Sequence, residues 1–130
     1  MAKDAKLPKP SPAELEILRV LWKRGPSTVR EVHEELKSAR DAGYYTYLKL
    51  LQIMAQKGLV HRDESQRAHI YEAAVSEEAT EHHLVSDTLE RYFEGSVQRL
   101  IMRALEAKEF SDQELEEIRK LMDSIETEQS

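Results

Sequence analysis

Apolar residues recur at helical spacing near the start of the chain and predict a first helix. Residues 11–14 read Ser-Pro-Ala-Glu, which is a capping residue, a proline at the first helical position and a glutamate three residues after the cap. Gly25 and Pro26 would end the helix. The stripe between these signals consists of Leu15, Leu18, Leu21 and Trp22.

Two further helical patterns follow. Ser27 and Thr28 could form a very short strand or a helix cap, and a second helix of about ten residues is expected after them. Its apolar positions are Val29, Val32 and Leu36, and residues 41–43 break it. A third helix is predicted from Tyr44 to Lys57, ending at Gly58. Its inward stripe is Tyr47, Leu50, Leu51 and Met54, and its opposite face is Tyr45, Lys49, Gln52 and Gln56.

Two β-prone runs come next, over residues 59–63 and 69–73, joined by the polar segment 64–68. This pattern is typical of a hairpin. Three helices followed by a hairpin predict a winged helix-turn-helix, so the expected fold class is mainly α with a small β-hairpin wing.

The last third of the chain predicts three more amphipathic helices. They start near residues 76–78, 97 and 111–114, and the first ends near Gly95. Helices this short have too little interior to bury their apolar stripes within one chain, and self-association is the simplest remedy. The residues predicted to form the dimer contact are Leu84 (or its neighbour Val85), Leu89, Phe93, Val97, Leu100, Ile101, Leu115, Ile118, Leu121, Met122 and Ile125.

The domain organisation predicted from these patterns is a flexible N-terminal tail over residues 1–10, a winged-helix DNA-binding domain over 11–75 and a helical dimerisation domain over 76–130.

Charge is distributed unevenly between the two halves. The formal net charge is −6, but residues 1–70 hold 13 Lys and Arg against 9 Asp and Glu, whereas residues 71–130 hold 6 against 16. A polyanionic partner is therefore expected to approach the first half.

Several classes of protein are disfavoured. The chain has no cysteine, which excludes thiolate catalysis, cysteine-based metal sites and disulfides. Residues 1–10 lack an apolar segment and no run of about 18 apolar residues occurs, so a cytoplasmic protein without membrane insertion is expected.

The order of these segments resembles the penicillinase repressor (BlaI/MecI/CopY) family of winged-helix regulators. The similar segments are residues 13–18 with Leu21 and Trp22, 28–32, 43–47, 50–51, 57–60, Tyr71, 92–96 and 111–115, which together span about residues 11 to 126. The resemblance implies a homodimer joined through its C-terminal helices, with two winged helices binding a dyad-symmetric operator to repress transcription of antibiotic-resistance genes.

It also implies derepression by proteolysis, with a membrane sensor metalloprotease as partner. The bond aligned with the family's cleavage site is that between Arg103 and Ala104, which is not the familiar asparagine-phenylalanine pair. The CopY branch carries a metal-sensing cysteine cluster, which this chain lacks.

In a helix-turn-helix, the outward residues at the start of the second helix reach base edges. Here they are Tyr45, Thr46, Lys49 and Gln52. Phosphate contacts are expected from Arg40 before this helix and from Arg62, Arg67 and His69 on the wing. Leu48 and Ile53 flank this face where better-known family members tend to carry arginines.

Other interpretations are weaker. His82 and His83 are adjacent, so on a helix they point about 100° apart and do not converge on one metal ion. Trp22 is expected in the core. No catalytic motif occurs, and neither an enzyme nor a cofactor is predicted. The alternative function is a winged-helix protein-interaction module that does not bind DNA.

Overall fold

A computed structural model of the chain describes residues 8–129; of the predicted N-terminal tail, residues 1–7 lie outside this range. By internal packing, the chain divides into two units, one ending at Ser86 and the other beginning at Asp87. The predicted boundary between a DNA-binding domain and a dimerisation domain, after residue 75, stays a prediction. The elements in chain order are α1 (Pro12–Arg24), β1 (Ser27–Thr28), α2 (Val29–Leu36), α3 (Tyr44–Lys57), β2 (Val60–Asp63), β3 (Ile70–Ala73), α4 (Glu77–Phe93), α5 (Val97–Glu106) and α6 (Asp112–Gln129).

The first two helices begin where the sequence predicted, because each has a complete capping box. The Ser11 hydroxyl accepts from the Glu14 amide (3.2 Å) and the Glu14 carboxylate accepts from the Ser11 amide (2.8 Å). Thr28 and Glu31 repeat this arrangement at the start of α2. Both expectations for Thr28 are therefore confirmed, since the residue also belongs to strand β1.

The wing is a three-stranded antiparallel sheet in the order β1-β3-β2. In its register, Tyr71 lies opposite Ser27 on one side and Arg62 on the other. Gly58 ends α3 with φ of 86°, a left-handed conformation that turns the chain directly into β2. The predicted hairpin is confirmed to within one residue at the start of each strand.

The core of the first unit lies between α1, α2, α3 and the sheet. The predicted α3 stripe is buried at Tyr47, Leu51 and Met54, and Leu50 packs against it. The stripe predicted for α1 was incomplete, because Ile17 and Val20 are also buried. Helix α1 contacts α2, α3 and β3, so it buries a wider surface than a single stripe.

Trp22, predicted in the core, is half-buried at its edge and also makes a polar contact. Its ring packs against the core, and its Nε1 donates to the backbone carbonyl of Val75 (2.9 Å). This bond ties α1 to the segment that follows β3.

The second unit consists of α5, α6 and the last residues of α4. Helix α4 ends at Phe93, close to Gly95 as predicted. The two residues that follow it, Glu94 and Gly95, have positive φ angles. From residue 87 to residue 128, no described side chain is buried. Most apolar residues of α5 and α6 are exposed in the single chain, Leu121 to 65%, whereas Leu100, Leu115 and Ile118 are half-buried.

A buried carboxylate, that of Glu14, joins the start of α1 to the end of α3. Glu14, at the start of α1, is only 3% exposed, and the Lys57 ammonium at the end of α3 donates to it (2.7 Å). Burial alone would raise the pKa of Glu14, but the hydrogen bonds from Lys57 and Ser11 outweigh it and hold the pKa below the ordinary value.

We therefore expect Lys57→Met to lower the free energy of unfolding by about 1.5–3 kcal/mol at pH 7, because it removes a charge-assisted bond from a buried carboxylate. Lys49→Met removes the same charge from the exposed face of α3 and should change the free energy by less than about 0.5 kcal/mol. Urea denaturation of both variants measures this.

The free energy of unfolding that is lost in Lys57→Met should also depend on pH. Since the pKa of Glu14 is lowered in the folded protein, its stabilisation is complete above the ordinary value of 4.5 and is lost as the pH falls through the folded pKa. The difference between wild type and Lys57→Met should shrink in that range. An equal difference at pH 7 and at about pH 3 would contradict this assignment.

Candidate nucleic-acid interface

The outward face of α3 is a continuous polar surface. Tyr45, Thr46, Lys49 and Gln52, the residues predicted to reach base edges, are all exposed. Tyr45 is 80% exposed and meets the Tyr44 ring edge to face. Lys49 has no hydrogen bond or ion pair to any described residue, so its ammonium is available to an external acceptor.

The first turn of α3 is electrostatically open. Its cap residue, Gly43, provides no side-chain acceptor, and the turn contains no acidic residue. The first amides of a helix carry a partial positive charge and bind anions when no side chain occupies them. An approaching phosphate therefore meets no competing carboxylate at this turn.

The loop of the wing presents two cationic or titratable side chains. Arg67 and His69 are exposed, and neither forms a hydrogen bond or ion pair with a described residue. The loop turns at Asp63, which accepts from the Ser65 amide (2.9 Å). Hydrogen bonds from the Ser65 side chain and backbone lower the pKa of Asp63.

A cleft of about 460 Å³ separates the wing from the starts of α2 and α3. It brings the predicted residues Arg67 and His69 together with two residues that the sequence prediction omitted, Arg30 and Tyr44. The position of Arg30 in the first turn of α2 could have indicated it, because the first helix of a helix-turn-helix crosses the DNA backbone.

Arg40 and Arg62, also predicted to contact phosphates, already have anionic partners. Both nitrogens of the Arg40 fork meet the Glu16 carboxylate, at 2.9 and 3.0 Å. Arg62 donates to Glu64 (3.1 Å), and interactions with Tyr71 and Glu64 raise the pKa of Arg62. The predicted phosphate set therefore contains two unpaired side chains on the wing and two arginines held by carboxylates.

The two apolar residues that flank the reading face have different environments. Leu48 is half-buried, packs against the core and lines the cleft. Ile53 remains 38% exposed. Leu48 thus forms part of the wall of the cleft.

The described residues offer neither a metal site nor a membrane-spanning helix. Within residues 8–129 there is no group of three or more His, Cys, Asp or Glu side chains placed to hold a metal ion. His82 is exposed and His83 half-buried. None of the described helices is long and apolar enough to cross a membrane.

Comparison with known proteins places this geometry in a family. A family model described as penicillinase repressor matches residues 10–124. The transcriptional regulator BlaI of Mycobacterium tuberculosis is 43% identical over 68 residues, which cover 52% of this chain and 49% of that protein, so the match spans about half of that relative's length.

Two further comparisons agree. The penicillinase repressor of Bacillus licheniformis is 25% identical over 118 residues, which cover 91% of this chain and 92% of that protein. A solution structure of the DNA-binding domain of the repressor BlaI is 27% identical with a TM-score of 0.51, and the match covers 56% of this chain and 89% of that chain. The fold is a winged helix, and the chain belongs to the penicillinase repressor family.

Proposed function

We propose that this chain is a DNA-binding transcriptional repressor that acts in the cytoplasm as a homodimer on a dyad-symmetric operator. The observation that carries the proposal is the outward face of α3, where Tyr45, Thr46, Lys49 and Gln52 are exposed beside the cleft that holds Arg30, Arg67 and His69. The relatives named as repressors, and the DNA-binding domain that this fold resembles, support the same assignment.

The outward face of α3 and the cleft beside the wing carry different side chains, which suit different parts of DNA. Lys49 can donate to guanine O6 or N7, and Gln52 can pair with adenine, so the middle of α3 would read bases. Arg30, Arg67 and His69 surround a cleft at the helix starts, where phosphate oxygens would set the register. No enzymatic activity is part of the proposal.

The second unit supports dimerisation. Ten of the eleven predicted contact residues lie in this unit, all but Leu84. None of the eleven is buried in the single chain, and Val97, Ile101, Leu121, Met122 and Ile125 are exposed. An apolar surface of this extent is expected to be covered by association. Two linked winged helices would then occupy two half-sites, and loss of the dimer would forfeit most of the avidity.

We further propose that proteolysis in α5 relieves repression, through a membrane sensor metalloprotease. The bond between Arg103 and Ala104 lies within this helix, and both residues are exposed. Cutting α5 would remove part of the apolar surface that joins two chains.

The test is fluorescence-anisotropy binding of the purified protein to DNA from upstream of its own coding sequence and to a scrambled duplex, between about 50 and 200 mM salt. Preference for the upstream DNA at the higher salt, with two chains per duplex, supports the proposal. Failure to bind either duplex at the lowest salt contradicts it and favours the protein-interaction module.

Lys49→Ala should reduce discrimination between operator and mutated operator at one base pair per half-site by about 1–3 kcal/mol, because a base-edge contact is lost. Lys23→Ala is the matched control, since it removes the same charge from an exposed position on α1. A base-by-base competition assay measures the effect. Equal specificity profiles for the two variants would remove Lys49 from the reading face.

Arg67→Ala should weaken binding to every sequence similarly, because a phosphate contact carries no sequence information. The slope of log affinity against log salt should become shallower by about one unit. Arg19→Ala, an exposed arginine of α1 away from the cleft, should leave the slope unchanged. A slope that is the same in wild type and Arg67→Ala would refute the wing contact.

Leu121→Glu should convert the dimer to a monomer, since it places a charge on the apolar face of α6. The single-chain fold should tolerate it, because Leu121 is 65% exposed there. Gln113→Glu adds the same charge at another exposed position of α6 and should leave the dimer intact. Sedimentation velocity distinguishes these outcomes, and a Leu121→Glu protein that remains dimeric would contradict the proposed interface.

A further inference from the structure

Arg40 is held in the free protein by a bond that resembles the one it would make with DNA. It lies in the segment between α2 and α3, and its Nε and Nη2 donate to the two carboxylate oxygens of Glu16 on α1 (2.9 and 3.0 Å). The guanidinium fork fits a carboxylate and a phosphate in the same two-pronged geometry. Glu16 therefore occupies the positions that phosphate oxygens would take.

This ion pair is open to exchange. The Arg40 side chain is 47% exposed and the Glu16 side chain 34%, so water and ions reach both groups. Exposed pairs of this kind contribute little to stability, and their partners exchange readily. Arg40 also lies three residues before Gly43, which caps α3, so a phosphate that captures Arg40 would contact the segment that leads into the reading helix.

The buried hydroxyl of Tyr47 interacts electrostatically with the same pair. Tyr47 is the first inward residue of α3 and is 1% exposed, and its hydroxyl has no hydrogen-bond partner among the described residues. Burial raises the pKa of Tyr47, the Glu16 charge raises it further and the Arg40 charge opposes this, so both members of the pair act on the hydroxyl electrostatically. An unsatisfied buried donor is unfavourable unless it finds an acceptor.

We infer that Glu16 is a positioning residue that holds Arg40 in the free protein, that Arg40 transfers to a DNA phosphate on binding, and that Glu16 then accepts a hydrogen bond from the Tyr47 hydroxyl. The inference rests on the proposed DNA binding. In the exchange, one charge-assisted pair replaces another, and the newly released carboxylate gains the donor that had no partner. Glu16 and Tyr47 thereby set the affinity for DNA without touching it.

The test is a double-mutant cycle on a random-sequence duplex at about 50 mM salt, where phosphate contacts dominate. Glu16→Gln should tighten duplex binding about twofold to fivefold more than Glu34→Gln does. The reason is that the Glu16 carboxylate competes with a DNA phosphate for Arg40, and an exposed ion pair contributes a free energy of this size. Glu34→Gln is the matched control, because it also removes one carboxylate from the first half of the chain. Glu34 pairs with Lys37 and not with Arg40, so this substitution leaves the pair between Arg40 and Glu16 intact.

The advantage of Glu16→Gln should vanish in an Arg40→Ala background. An equal gain from Glu16→Gln and Glu34→Gln, or a gain that persists without Arg40, would overturn the exchange. These failures differ from failure of the proposed function, in which the wild-type protein binds no duplex at all.

Tyr47→Phe provides a second, independent measurement. In the free protein it should leave urea stability unchanged or slightly higher, because the hydroxyl has no partner there. It should nevertheless weaken duplex binding about twofold to tenfold, the worth of one hydrogen bond, and only when Arg40 is present. Loss of stability in parallel with affinity, or a loss of affinity that persists in Arg40→Ala, would assign Tyr47 a purely structural role.

Discussion

Helix α3 buries one face against α1, α2 and strand β2, and the candidate interface depends on that contact. With Tyr47, Leu51 and Met54 fixed in the core, the opposite positions of the helix are turned to solvent. The buried bond between Glu14 and Lys57 ties the end of α3 to the start of α1, and Gly58 turns the chain into the wing. The rotation of α3 about its axis and the position of the wing are therefore set by the same packing.

The electrostatics of the interface follow from which cations have internal partners. Arg24, Arg40 and Arg62 are each held by carboxylates of the first unit, whereas Lys49 and Arg67 have none among the described residues. Lys49 lies on α3 and Arg67 on the wing, and Arg67 also lines the cleft. These two cations are therefore available to a polyanion that approaches this surface.

Local signals explain which features of the fold were predictable. Capping boxes at Ser11 and Thr28 and the left-handed Gly58 act within a few residues, so the sequence indicates them directly. Ile17 and Val20 were missed in the core because α1 packs against three elements, which periodicity along one helix does not reveal.

The candidate site was predictable to a similar extent. Outward residues of α3 follow from helical spacing, and all four are exposed. Arg30 and Tyr44 were missed because the cleft forms only when the starts of two helices meet the wing. The Arg40–Glu16 pair joins residues 24 positions apart, and nothing in the sequence pattern indicates that contact.

We propose that the starts of α2 and α3 and the loop of the wing form one DNA-binding surface. The most direct measurement is to follow the backbone amide signals of the protein by NMR during titration with its upstream DNA. We expect the largest shifts within residues 28–31, 43–52 and 62–70, with those of α6 nearly unchanged. Shifts concentrated in α5 and α6, with α3 unaffected, would contradict it.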